Sequence, residues 1–90
     1  MSADEEWLAP LRAKFAGRLT REVEALRTAW TRRDRETVID RAHKLAGLAG
    51  MLGAPEVGEA ALELEETARS GADYAGQLFQ LIAAIERARS

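Results

Sequence analysis

Residues 34–53 read DRETVIDRAHKLAGLAGMLG, and the spacing of their apolar side chains decides the fold. Val38, Ala42, Leu45, Ala49 and Leu52 recur every three or four residues, the spacing of one face of an α-helix. Asp34 stands where an N-cap belongs, and Gly53 suits the left-handed residue that closes a helix. On a wheel of about 100° per residue, this core line centres about 140° from His43, the only histidine in the chain. The imidazole is therefore expected on the outer face. Glu36, Ile39, Gly47 and Gly50 share that face, Asp40 and Met51 border it, and Lys44 lies further round.

Two glycines on an outer face require a reason, since each costs about 1 kcal/mol relative to alanine inside a helix. Tight helix packing does not supply it opposite the core stripe. Clearance for another molecule to reach the imidazole does. A largely neutral, exposed imidazole keeps a lone pair that attacks phosphorus, so His43 is expected to act as a nucleophile without an internal base.

Toward the N-terminus, Leu8, Leu11, Phe15, Leu19, Val23, Leu26 and Trp30 form one long helical stripe, with a leading turn or kink expected at Pro10. Trp7 and Trp30 are read as packing anchors. Toward the C-terminus, Gly53-Ala54-Pro55 forms a corner, with proline at a first helical position. Val57, Ala61, Leu64 and Ala68 then make the buried line of a third helix. Ser70-Gly71 ends it, and Asp73 caps a fourth helix containing Tyr74, Leu78, Leu81, Ile85 and Ala88. Four amphipathic helices joined by short connections predict an all-α, antiparallel up-down four-helix bundle, with residues 1–90 as one domain.

Composition narrows the function. Ninety residues close one modest core, too little for a nucleotide-binding domain and a second catalytic one. With no cysteine there is neither a disulfide framework nor a thiolate metal site. The net charge of −2 argues against a nucleic-acid binder. The acidic start and the lack of an apolar run near the roughly 20 residues that span a bilayer lead us to expect a cytoplasmic protein without membrane attachment. The halves differ in sign: residues 1–48 hold ten Lys or Arg against eight acids, and residues 49–90 hold three against seven. Basic groups thus gather before and around His43.

Ala42-His43-Lys44-Leu45-Ala46-Gly47, followed by Gly53 and then by Leu64-Glu65, resembles histidine-containing phosphotransfer (HPt) domains over nearly the whole chain. Those domains carry an H-x-L-x-G core on an exposed helix of a four-helix bundle, a glycine six residues further on and a Leu-Glu pair on the next helix. The resemblance implies that His43 is the phosphoacceptor through Nε2, and that Gly47 gives partners access to it. It also implies a phosphoryl carrier rather than an enzyme, with receiver domains of response regulators and a histidine or hybrid kinase as partners. Many members have lysine three residues after the histidine; this chain has Ala46 there, and Lys44 one residue after.

Further expectations concern the surroundings. Lys44, Arg41 and Arg35 are solvated charges singly, and together a basic rim for an acidic partner pocket. Ile39, Met51 and Leu62 form an apolar docking patch, with Lys44, Gly47, Gly50 and Asp40 as further partner contacts. The five acids from Glu56 to Glu66 are read as a wet helix face, not as a metal site. No cofactor and a monomeric state are expected. The competing readings are a kinase dimerisation segment, disfavoured by H-K-L-A-G in place of H-E-x-x-T-P, and a helical adaptor that binds the same partners without phosphotransfer.

Overall fold

The computed structural model describes residues 3–51 and 53–89, with side chains from residue 9 onward. Four helices follow in order: α1 (Ala3–Thr31), α2 (Arg35–Met51), α3 (Pro55–Arg69) and α4 (Ala75–Arg89). α1 packs on α2 and α4, and α3 packs on the same two, so the helices close a ring about one core. The expected all-α up-down bundle is the fold observed.

The core is built from the predicted stripes. Leu19, Leu26, Val38, Leu45, Val57, Leu64, Leu78, Leu81 and Ile85 are fully enclosed, and burying each large aliphatic side chain contributes about 1.5–3 kcal/mol relative to exposure. α4 buries a wider face than the stripe suggested, since Ile82 and Ala84 join the core while Ala88 is exposed. Tyr74 is buried but precedes α4 rather than lying in it; its carbonyl accepts the Leu78 N–H at 2.9 Å. Trp30 meets Tyr74 and Phe79 edge to face, with ring centroids 5.5 and 6.2 Å apart, as expected of a packing anchor. The side chains of Trp7, Leu8 and Leu52 lie outside the described residues.

Two expectations for α1 need correction. The helix runs through Pro10 with no separate leading turn, and Leu11 is exposed, so the core face of α1 begins at Phe15. Length explains both. At about 1.5 Å per residue, a helix of 29 residues outruns partners of 17, 15 and 15. Leu11 lies on this overhang and is 38 % exposed, and Pro10 is exposed beside it.

The helix ends follow the sequence signals. Asp34 accepts the Thr37 N–H at 3.2 Å through Oδ1 and the Thr37 hydroxyl at 2.6 Å through Oδ2. These bonds cap α2 and hold the Asp34 carboxyl below its usual range. Asp73 Oδ1 accepts the Ala75 N–H at 3.0 Å at the start of α4. Gly53 takes a φ of 74°, and the Ala54 N–H reaches back to the Ala49 carbonyl at 3.0 Å, closing α2. The same closure ends α1, where the Asp34 N–H meets the Ala29 carbonyl at 2.8 Å, but the left-handed position is Arg33, with a φ of 56°.

A non-glycine residue held there costs about 1 kcal/mol or more. Arg33→Gly is therefore expected to stabilise the bundle by about 0.5–1 kcal/mol, because the relieved strain exceeds the added freedom of the unfolded chain. Urea denaturation checks this; a lower midpoint at unchanged slope contradicts the account of this turn.

Candidate functional site

Small residues set the distance between α2 and α3. Ala42, Ala49 and Ala61 are buried, and a Cβ built on Gly58 would meet the Ala49 Cβ at 3.6 Å, the Ala46 carbonyl oxygen at 3.7 Å and the Gly50 nitrogen at 3.8 Å. Glu65, one turn beyond Ala61, is thereby brought against His43. Its Oε2 lies 2.9 Å from His43 Nδ1. The same oxygen accepts a hydrogen bond from Arg69 Nε at 3.0 Å and lies 2.9 Å from Arg69 Nη2 as an ion pair.

The two ends of this contact differ in exposure. The His43 side chain is 67 % exposed, whereas that of Glu65 is 9 % exposed. Burial raises the affinity of the Glu65 carboxyl for a proton, but the hydrogen bonds from Arg69 and His43 outweigh it and hold the carboxyl below its usual range. Glu65 is thus ionised at neutral pH and can only accept, so Nδ1 of His43 must carry the hydrogen. The lone pair of the neutral ring is left on Nε2.

The sequence expectation of an exposed His43 holds, and the structure adds a carboxylate that the sequence reading did not place beside it. Glu65, read as part of a wet acidic face, is buried and holds the ring. Its position one turn after Ala61 and three residues before Ala68 places it on the flank of the buried line, a signal the stripe contained. Arg69, which the sequence reading did not single out, stands one turn after Glu65, where opposite charges on a helix meet.

Around the imidazole, Glu36, Ile39, Asp40, His43 and Arg69 line a shallow, open depression of about 300 Å³. Ile39 is half-buried against the core, so only part of it reaches this surface. Asp40 and Lys44 pair with each other at 3.1 Å, both exposed. Gly47 and Gly50 follow one and two turns after His43; a Cβ on either would meet nothing within 4 Å. Met51, at the end of α2, is 82 % exposed, and Leu62 is exposed on α3.

The basic rim is smaller than expected. Arg35 turns inward, donating to the Ala68 and Ala72 carbonyls at 2.9 Å each and lying over the Tyr74 ring at 4.9 Å. Arg41 donates to Glu22 at 3.0 Å, and Glu22 is almost wholly buried in α1. A buried carboxylate requires such a partner. Both arginines therefore serve the bundle.

A family model for the Hpt domain matches residues 10–90. The chain belongs to the Hpt domain family. No curated protein and no solved structure matches it at significance. Hpt domains are phosphocarrier modules with a general role in histidine phosphotransfer along phosphorelays. In this Hpt domain the only histidine stands on the outer face of the bundle, on a helix whose inward side is fully packed. Among the described residues no group of three or more His, Asp or Glu is placed to hold a metal, and no helix is long and apolar enough to cross a membrane.

Because the folded Glu65 carboxyl binds protons more weakly than an unfolded one, its bonds stabilise the Hpt domain fully above the unfolded value of about 4.3. That stabilisation is lost as the pH falls through the lowered folded value. Urea midpoints measured from pH 7 down to pH 3 are expected to fall more steeply for the wild type than for Glu65→Gln, which has no proton to bind there. Equal slopes would contradict the ionised state assigned to Glu65.

Proposed function

We propose that His43 accepts a phosphoryl group on Nε2 and passes it on, exchanging it with aspartates of receiver domains or with a histidine or hybrid kinase. The observation that carries this reading is the asymmetry of the imidazole: Nδ1 is tied to buried Glu65 at 2.9 Å while the ring as a whole remains exposed. A hydrogen bond donated from one ring nitrogen to a carboxylate fixes the tautomer and aims the other nitrogen, as in the carboxylate–histidine pairs of hydrolases.

In the forward step the Nε2 lone pair forms a bond to phosphorus as the bond from phosphorus to the aspartyl oxygen breaks, and the aspartate leaves as a carboxylate. The ring gains positive charge, and its Nδ1 proton stays hydrogen-bonded to Glu65, which stabilises that charge. The reverse step uses the same groups. Phosphoryl transfer depends chiefly on positioning and charge stabilisation. This chain supplies an aimed nucleophile, and the receiver supplies its own aspartate and metal ion. The reading is of a carrier dependent on its partners, working as one domain in the cytoplasm and as a monomer.

Gly47 and Gly50 fit this role through what they leave out. Their Cβ positions are empty, so a side chain would fit the folded bundle; the space is needed by a partner pressing toward His43. Ile39, Met51, Asp40 and Lys44 surround the approach, and their contacts with a receiver complete the proposed interface. Lys44 and Asp40, already paired in the free chain, would be available to re-pair with partner charges at small cost.

Incubation with phosphorylated receivers tests the reading through acid-labile, alkali-stable phosphate. Label is expected on the wild type and none on His43→Gln. Undiminished label on His43→Gln overturns the assignment, and a wild type inert toward every cognate receiver favours the adaptor reading. Gly47→Leu gives a sharper test, because leucine is the better helix former by up to about 1 kcal/mol. The variant is expected to melt no earlier than wild type by circular dichroism, yet to transfer about tenfold or more slowly. Transfer at the wild-type rate would remove clearance as the reason for Gly47.

A further inference from the structure

The oxygen that holds His43 also holds Arg69, and the sharing has a chemical consequence. A buried carboxylate beside an imidazole favours the doubly protonated, cationic ring, since opposite charges at this range stabilise each other. A cationic ring has no lone pair on Nε2 and cannot accept phosphorus. Glu65 is therefore useful to a phosphoacceptor only if its charge is balanced elsewhere.

Arg69 stands where that balance is needed. Its Nε donates to Oε2 at 3.0 Å, and its Nη2 lies 2.9 Å from that oxygen as an ion pair, at the atom that faces Nδ1. The other charges around the ring do not take this part: Lys44 is tied to Asp40 at 3.1 Å, and Glu36 lines the same depression with no positive charge of its own. Arg35 and Arg41 are bound to the Ala68 and Ala72 carbonyls and to Glu22. On α2 itself, position 46 is a half-buried alanine.

We propose that Arg69 is a positioning residue for phosphoryl acceptance: by compensating Glu65, it lets that carboxylate orient His43 without drawing a second proton onto the ring. The assignment rests on His43 being the acceptor. It makes α3 the source of both the group that aims the nucleophile and the group that keeps it unprotonated.

The test uses ¹⁵N-imidazole spectra of the whole chain, with phosphoramidate as a partner-free donor; its P–N bond breaks and ammonia leaves as the bond to Nε2 forms. In Arg69→Leu the Nε2 resonance at pH 7 is expected to move toward the protonated position. Phosphorylation is expected to slow about threefold relative to wild type at pH 7, the loss of unprotonated ring that a one-unit rise in proton affinity gives a largely neutral imidazole, and to recover to near the wild-type rate at pH 9. Adding Glu65→Gln to Arg69→Leu restores the unprotonated Nε2 resonance, as does Arg69→Lys alone, which keeps the charge.

An Arg69→Leu ring with the wild-type Nε2 resonance at pH 7, or a rate lowered equally at both pH values, overturns the role. If leucine unfolds the bundle, Arg69→Lys decides, and a protonated Nε2 in that variant overturns the assignment to charge. A wild type that takes no phosphoryl group on His43 from any donor defeats the carrier reading, while the resonances still decide what Arg69 does to the ring.

Discussion

A single carboxylate oxygen, Oε2 of Glu65, receives the His43 Nδ1–H and the Arg69 Nε–H and pairs with Arg69 Nη2, all within 3.0 Å, and the chemistry open to this chain depends on that convergence. The oxygen is buried, so its bonds are strong and would be costly to break without replacement. It is reached from α3, so its distance from His43 is set by how closely α2 and α3 pack. Ala42, Ala49, Gly58 and Ala61 keep that spacing short. Packing of small residues in the core is thus converted into the aim of a ring at the surface.

The rest of the bundle holds α2 and α3 in register. α1 and α4 close the ring of helices, and two inward-turned arginines tie its parts together. Arg41 neutralises Glu22 between α2 and α1, and Arg35 bridges from the start of α2 to the end of α3 and the turn before α4. These contacts tie α2 to α1, to the end of α3 and to the turn before α4 beneath the exposed His43 ring. A carrier benefits from that division, because it must present the same ring to donors and acceptors without carrying the machinery of either.

Much of this was legible in the sequence, for identifiable reasons. The periodicity of Val38, Ala42, Leu45 and Ala49 fixed both the helix and the outward face of His43, because helical geometry alone relates the two. Asp34, Gly53, Pro55 and Asp73 marked the helix ends through local chemistry that does not depend on tertiary context. Whatever required distances between helices was not legible. The Leu64-Glu65 pair and the flank of the buried line set Glu65 apart from Glu63 and Glu66, but its reach to His43 across the α2–α3 contact was not legible. Arg35 and Arg41 looked like surface charges for the same reason. Leu11 looked like core because its stripe continues past the point where the shorter helices end.

The central claim, that Nδ1 is occupied by Glu65 and Nε2 is the nucleophile, is tested most directly on the phosphorylated chain carrying ¹⁵N in its one imidazole. The ³¹P–¹⁵N one-bond coupling identifies the nitrogen bound to phosphorus. The account predicts that coupling to Nε2, with Nδ1 still protonated and its hydrogen exchange slowed by the bond to Glu65. Phosphorus on Nδ1 would contradict it, because that atom could not hold phosphorus and donate to Glu65 at once.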